Sequence, residues 1–164
     1  MCMTDARAPE PWYRQAGARA LILRRYLPWL LALNVAWETA QLPLYTIWRE
    51  ASPVYIAFAV AHCTVGDIVI GAAALVLALL ATRAGPLAQW QWAKIAALTT
   101  LAGVGYTIFS EWANTSVRQG WQYSALMPTL ELGGVVIGLS PFAQWVVLPA
   151  LALYLARRGA IAAT

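Results

Sequence analysis

Long apolar runs, punctuated by short polar stretches, set the pattern of this chain. The central run, Tyr55 to Thr82, contains no Lys, Arg, Glu or Pro and exceeds the roughly 20 apolar residues that carry a helix across a bilayer. Three others accompany it: Tyr26 to Leu42, with an extension toward Trp48; Ile95 to Trp112; and Leu130 to Ala156. The pattern predicts an all-α polytopic membrane protein, a four-transmembrane-helix bundle with spans at about 26–48, 55–82, 93–113 and 130–157 and with the N and C termini on the same side. A polar cytoplasmic or interfacial tail, 1–25, precedes the 26–158 domain, and a short tail, 159–164, follows it.

Polar residues inside these runs fall on faces. Asn34, Glu38 and Gln41 recur at i, i+4 and i+7 in the first run, so they line one side of a helix. In the second, the polar half holds His62, Cys63, Thr64 and Asp67, and the half from Ile68 to Ala81 is wholly apolar. His62 and Asp67 diverge by about 140° around their helix, so only one of them faces the bundle axis. Thr100, Gly103, Thr107, Glu111 and Asn114 share a face of the third run, and Glu131, Gly134, Gly138, Phe142 and Trp145 a face of the fourth. Small residues at this spacing let helices approach closely. Pro28 fits the opening turn of the first span, and Pro141 predicts a kink in the fourth.

Composition agrees: 61% of the 164 residues are hydrophobic and only 11% are charged, against about a quarter charged in soluble domains. The opening residues lack the pattern of a cleaved secretory signal, and Cys2 and Cys63 stand in settings too different for a disulfide framework. Of the 11 basic residues, only Arg49 and Arg118 fall on the side opposite the termini. The positive-inside rule therefore predicts a cell inner membrane location with both termini cytoplasmic. The net charge of +4 is explained by orientation and anionic-lipid contact, with no nucleic-acid partner required.

The acids supply the candidate chemistry. Glu38, Glu50, Asp67, Glu111 and Glu131 all belong to the outer half of the membrane or lie just outside it. At about 1.5 Å per residue, His62 sits about 10 Å and Asp67 about 18 Å below the outer end of their helix. Ionisable groups at such depths are functional candidates by default. The set Glu38, His62, Asp67 and Glu111 is read as catalytic, with Asn34, Gln41, Tyr106, Asn114, Trp121 and Trp145 as ligand-binding neighbours around an outward-opening pocket. Glu50 and Glu131 read as interface residues, and most of the nine tryptophans as interfacial anchors. Carboxylates with aromatic walls attract cations, and a carboxylate beside an imidazole supplies acid and base. A metal site from Glu38, His62, Asp67, Cys63 and Met127 is the weaker alternative, because a single histidine without repeated ligand spacing is a poor metal signature. No phosphate-cradling glycine loop, Gly-x-Ser-x-Gly or paired-cysteine motif is present, and the sequence leaves any cofactor unknown.

Several short strings resemble the emopamil-binding-protein group of sterol isomerases and sigma-2-type receptors: Trp37-Glu38 in the first span, Asp67 in the second, Tyr106 through Ser110-Glu111 closing the third, and Gln144-Trp145 leading to Leu148-Pro149 in the fourth. The resemblance implies a pocket of embedded acids and aromatic walls that binds sterols or cationic amphiphiles. The expectation is a membrane protein that binds an apolar or cationic small molecule, isoprenoid- or sterol-like, with acid-base isomerisation as an open further step. The alternatives are a structural or assembly subunit, bound to a second copy or to a larger membrane complex, and a carrier of a cation, proton or metal.

Overall fold

The computed structural model describes residues 10–118 and 120–161. Cys2, Asp5 and Arg7 of the N-terminal tail, and 162–164 of the C-terminal one, lie outside the described residues. The chain is mostly helical, and three helices are long and apolar enough to cross a membrane. Helix α1 (Ala16–Leu21) runs through a π-helical turn (Ile22–Tyr26) into α2 (Leu27–Gln41). A short α3 (Ile47–Glu50) leads to α4 (Pro53–Ala81), followed by α5 (Trp92–Trp112). Strands β1 (Thr129–Leu132) and β2 (Val135–Gly138) then precede α6 (Leu139–Ile161). The stretch from Ala16 to Gln41 is long enough but carries Arg19, Arg24, Arg25 and Glu38, and it is not one of the three apolar helices.

The four long helical segments pack in a ring in which α2 touches α4 and α6, and α5 touches the same two. At one end of the ring the core is wholly hydrophobic: Tyr26, Leu30, Leu75, Leu79, Ile95 and Leu153 are buried together. Buried positions on α5 recur every fourth residue, Ile95, Thr99, Gly103, Thr107 and Glu111, as one helix face requires. The outward faces of α4 and α5 expose Val54, Phe58, Val65, Val69, Leu101 and Phe109, an apolar surface suited to lipid.

Several expectations are corrected here. The fold is not all-α: residues 129–138 form an antiparallel hairpin, pairing Thr129 with Gly138 and Leu132 with Val135, so the fourth helix begins at Leu139 and not near 130. The reason is local. Gly133 and Gly134 both take positive φ, 58° and 81°, the two-residue turn whose twist matches a hairpin. Gly134 is therefore a turn residue and not half of a helix-packing pair, and Glu131 is exposed on β1. Pro141 falls in the first turn of α6, where its missing N–H does no harm; Pro149 is the proline inside that helix.

The first helix starts at Ala16 and not near Tyr26, with Ala18, Leu21 and Ile22 buried in the core. The tail 1–25 is thus partly core. Pro28 lies well inside the continuous helix, just past the π turn, where Leu27 N–H reaches Ile22 O. A widened turn accommodates the hydrogen bond that proline cannot make. The α-helix stops at Gln41, passes into a single 3-10 turn at Leu42–Leu44 and does not reach Trp48, because Pro43 has no N–H to continue the ladder. Trp90 is buried, its indole N–H donating to Gly85 O at 3.1 Å, so it is a core residue and not a surface anchor.

Gly103 is where α5 and α6 approach most closely: a Cβ there would run into the ring of Trp145. Gly103→Val should therefore destabilise the protein by about 1–3 kcal/mol, the usual range for overpacking. Thermal unfolding in detergent measures it, and Gly105→Val, at a glycine with open space around it, is the matched control.

Candidate functional site

Polar groups gather at the opposite end of the ring, where α2 ends, α6 begins and α4 contributes its polar half. Gln144, in the second turn of α6, is the centre. Its Nε2 lies 2.8 Å from Asn34 Oδ1, 3.0 Å from Glu38 Oε1 and 3.0 Å from Asp67 Oδ2. Gln41 Nε2 donates to Glu38 Oε1 at 2.8 Å, and Gln41 Oε1 accepts from Ser140 Oγ at 2.8 Å. Trp37 Nε1 stands 3.3 Å from Ser140 Oγ. Asn34 spends its own amide hydrogen on Leu30 O within its helix. The carboxyl groups of Glu38 and Asp67 approach within hydrogen-bonding contact of each other.

Charge defines the chemistry of this cluster. A primary amide has two N–H hydrogens; Gln144 presents them to three oxygens, and Gln41 gives Glu38 Oε1 a further donor, so hydrogens and oxygens balance. These amides and the Tyr123 phenol at Glu111 are neutral. Two carboxyl groups that face each other among neutral donors call for a proton shared between Glu38 and Asp67 or a cation from outside.

Glu111, on α5, anchors a second group of contacts. Tyr123 OH donates to Glu111 Oε2 and accepts from Gly138 N–H at 3.0 Å. Tyr123 is carried by the 120–128 segment, which is stitched to the 42–46 turn: Thr46 N–H donates to Gln122 O at 3.0 Å, Ser124 N–H to Leu44 O at 2.9 Å and Ser124 Oγ to Pro43 O at 2.9 Å. Tyr45 and Tyr123 pack with ring centroids 5.8 Å apart. Burial first, then the carboxylates of Glu111 and Glu38, hold the Tyr45 phenol well above its ordinary range. Tyr123 is raised likewise, by burial and then by Glu111. The two tyrosines therefore stand between the carboxyl groups as neutral phenols, and Glu38 is within Coulombic reach of Glu111.

The sequence-derived residues divide accordingly. Asn34, Glu38, Gln41 and Asp67 meet directly, and Glu111 joins them through the tyrosine pair. His62 does not: it is exposed on the outward face of α4, stacked on Phe58 at 5.6 Å, so the 140° divergence resolves with Asp67 inward. Tyr106 is 46% exposed and also outside the cluster. Trp145 is buried against Gly103 as a packing residue. Asn114 bonds back to Ser110 O at 2.9 Å. Trp121 keeps a buried indole N–H that closes no hydrogen bond of ordinary geometry but lies near enough to Glu111 to act on it. No group of three or more His, Cys, Asp or Glu among the described residues has the arrangement to hold a metal ion. Gln144, Ser140, Tyr45 and Tyr123 were not among the residues picked from sequence as site residues. Gln144 carried a usable signal, as the one amide in the apolar run from Pro141 to Leu153; the tyrosines, in loops, carried none.

No family model matches this chain, and neither the curated proteins nor the solved structures contain a match to it.

Two outcomes follow from this geometry. Gln144→Leu removes the side-chain amide donor to Asn34 Oδ1 and Asp67 Oδ2 and one of two to Glu38 Oε1 and should lower stability by about 1–3 kcal/mol, read by thermal unfolding, with Gln144→Asn losing less. A phenol whose folded pKa is raised contributes stability that is present below its ordinary value of 10.0 and is lost as pH rises beyond it. Tyr123→Phe should therefore be less stable at neutral pH by about 1–3 kcal/mol and decline less steeply than wild type above pH 10, in unfolding measured across an alkaline pH series.

Proposed function

We propose that this protein crosses a cell inner membrane four times, with both termini cytoplasmic, and uses its carboxyl cluster to bind an apolar or cationic small molecule. The stretch Ala16 to Gln41, about 39 Å long as a helix, is the fourth span in this reading, and the basic residues near the termini support the orientation. The observation that carries the function is the pair of carboxyl groups at Gln144: Glu38 and Asp67 face each other among amides that supply hydrogens but no charge. A cationic head group supplies that charge directly. A proton supplies it equally, and a shared proton beside an apolar ligand is the equipment acid-base isomerisation would use.

One observation favours a second reading. His62 lies about 14 Å along α4 from its start, on an outward face where lipid disfavours an ionisable group, with Phe58 and Tyr55 beside it. An assembly role, with a partner helix covering that stripe, explains His62 better than lipid does.

Binding of a hydrophobic tertiary amine to detergent-purified protein, measured by calorimetry beside its neutral carbon isostere, tests the first reading. Glu38→Gln should weaken amine binding tenfold or more and Glu111→Gln less, while the isostere is unaffected. Equal binding of the amine by wild type and both variants would remove the basis for a ligand at the cluster.

A further inference from the structure

A groove of about 900 Å³ runs between α2 and α4 on the side away from α5 and α6, and it contains none of the carboxylates. Leu31, Val35 and Leu42 form one wall, and Ile56, Val60 and Ala61 the other, with Trp48 at the outer end. Ala57 and Ala61 keep it open, since larger side chains there would fill it. Leu31, Val35, Trp48 and Val65 are each more than two-fifths exposed, so the groove opens sideways toward lipid. Two hydroxyls line it. Thr39 has spent its hydrogen on Val35 O at 2.8 Å. Thr64 has not: the residue is 3% exposed and its Oγ1 has no hydrogen-bond partner.

That orphan hydroxyl distinguishes the occupant. Thr64 lies about 16 Å along α4 from its outer end, close to the middle of a hydrocarbon core about 30 Å thick. A phospholipid keeps its oxygens at the interface and would offer Thr64 only hydrocarbon, leaving a buried donor unsatisfied. The groove has no charged lining residue, so it does not call for an ionic head. We infer that it holds a membrane-dissolved lipophile, a single chain or isoprenoid ending in one uncharged oxygen, hydroxyl or carbonyl, with that oxygen hydrogen-bonded to Thr64 Oγ1. The inference rests on the reading of a small-molecule-binding protein given above and names the ligand's class. Thr64 and Asp67 are three residues apart on one helix face, so the ligand's polar end lies one turn from the carboxyl cluster.

A diazirine-bearing isoprenoid alcohol, photolysed with the full-length protein in phosphatidylcholine nanodiscs, tests this. Crosslinks should concentrate on the 56–65 segment and on Leu31 and Val35, and excess unlabelled alcohol should displace them whereas the hydrocarbon of equal length or extra phosphatidylcholine should do so several-fold less well. Ala61→Trp should reduce labelling tenfold or more. Thr64→Val, which keeps the shape, should weaken competition by the alcohol about two- to tenfold, as loss of one hydrogen bond does, and erase its advantage over a hydrocarbon of equal length. Wild-type labelling spread evenly over Val69, Leu101 and Phe109, which are exposed outside the groove, or displaced equally by phosphatidylcholine, overturns the inference without recourse to any variant. Glu38→Gln should leave groove labelling in place, so failure here and failure of amine binding at the cluster are separate results.

Discussion

Two carboxyl groups, Glu38 and Asp67, meet at the amide of Gln144, which joins three oxygens from two other helices, and the polar end of the protein is organised by that meeting. In an apolar interior a carboxyl group has to find its partners within the protein, and Asn34, Glu38 and Asp67 all reach one side chain on α6, with Gln41 a second donor to Glu38. The amide ties α2, α4 and α6 together at one level. Its own position depends on the start of α6, which the hairpin sets by ending β2 at Gly138, next to Leu139.

The opposite end of the ring obeys a different rule. Around Tyr26, Leu30, Leu79 and Ile95 the core is apolar and closely packed, and Tyr26 OH reaches Gly71 O at 3.2 Å. This half supplies rigidity, and the polar half can hold two facing carboxyl groups because the helices are fixed elsewhere. The end of α4 shows the same economy: Arg83 adopts a left-handed φ of 49° so that Ala84 N–H can reach Leu79 O at 2.9 Å, closing the helix as a C-terminal cap. Ala84 O then accepts from Trp12 N–H at 3.1 Å, which attaches the N-terminal segment to the same end.

The loops are part of the site as much as the helices are. Gly138 suits this position because a Cβ there would stand 3.1 Å from the Tyr123 ring and 3.2 Å from the Met127 sulfur, tighter than ordinary contact. That close approach brings the phenol onto both Gly138 N–H and Glu111. The Tyr45 and Tyr123 pair extends the carboxyl cluster of α2 and α4 toward α5, so four elements distant in sequence share one electrostatic environment.

Much of this was legible in the residues themselves. Helix periodicity aligned Asn34, Glu38 and Gln41, and the cost of an isolated carboxylate in lipid made Asp67 and Glu111 candidates before any contact was known. Periodicity also required that His62 and Asp67 part company, since five residues turn a helix by about 140°; which of them faced inward depended on where α2 and α6 lie. The Gly133-Gly134 turn was hidden by its apolar flanks, because Leu130 to Ala156 reads as one hydrophobic run whether its first third is strand or helix. The start of the first helix was hidden for the converse reason: its arginines mask the Ala18, Leu21 and Ile22 face that packing buries. Chemical type and helical phase are properties of the chain alone. Partnership is not, because the distance from Gln144 to Asn34 spans 110 positions and is closed only when helices pack.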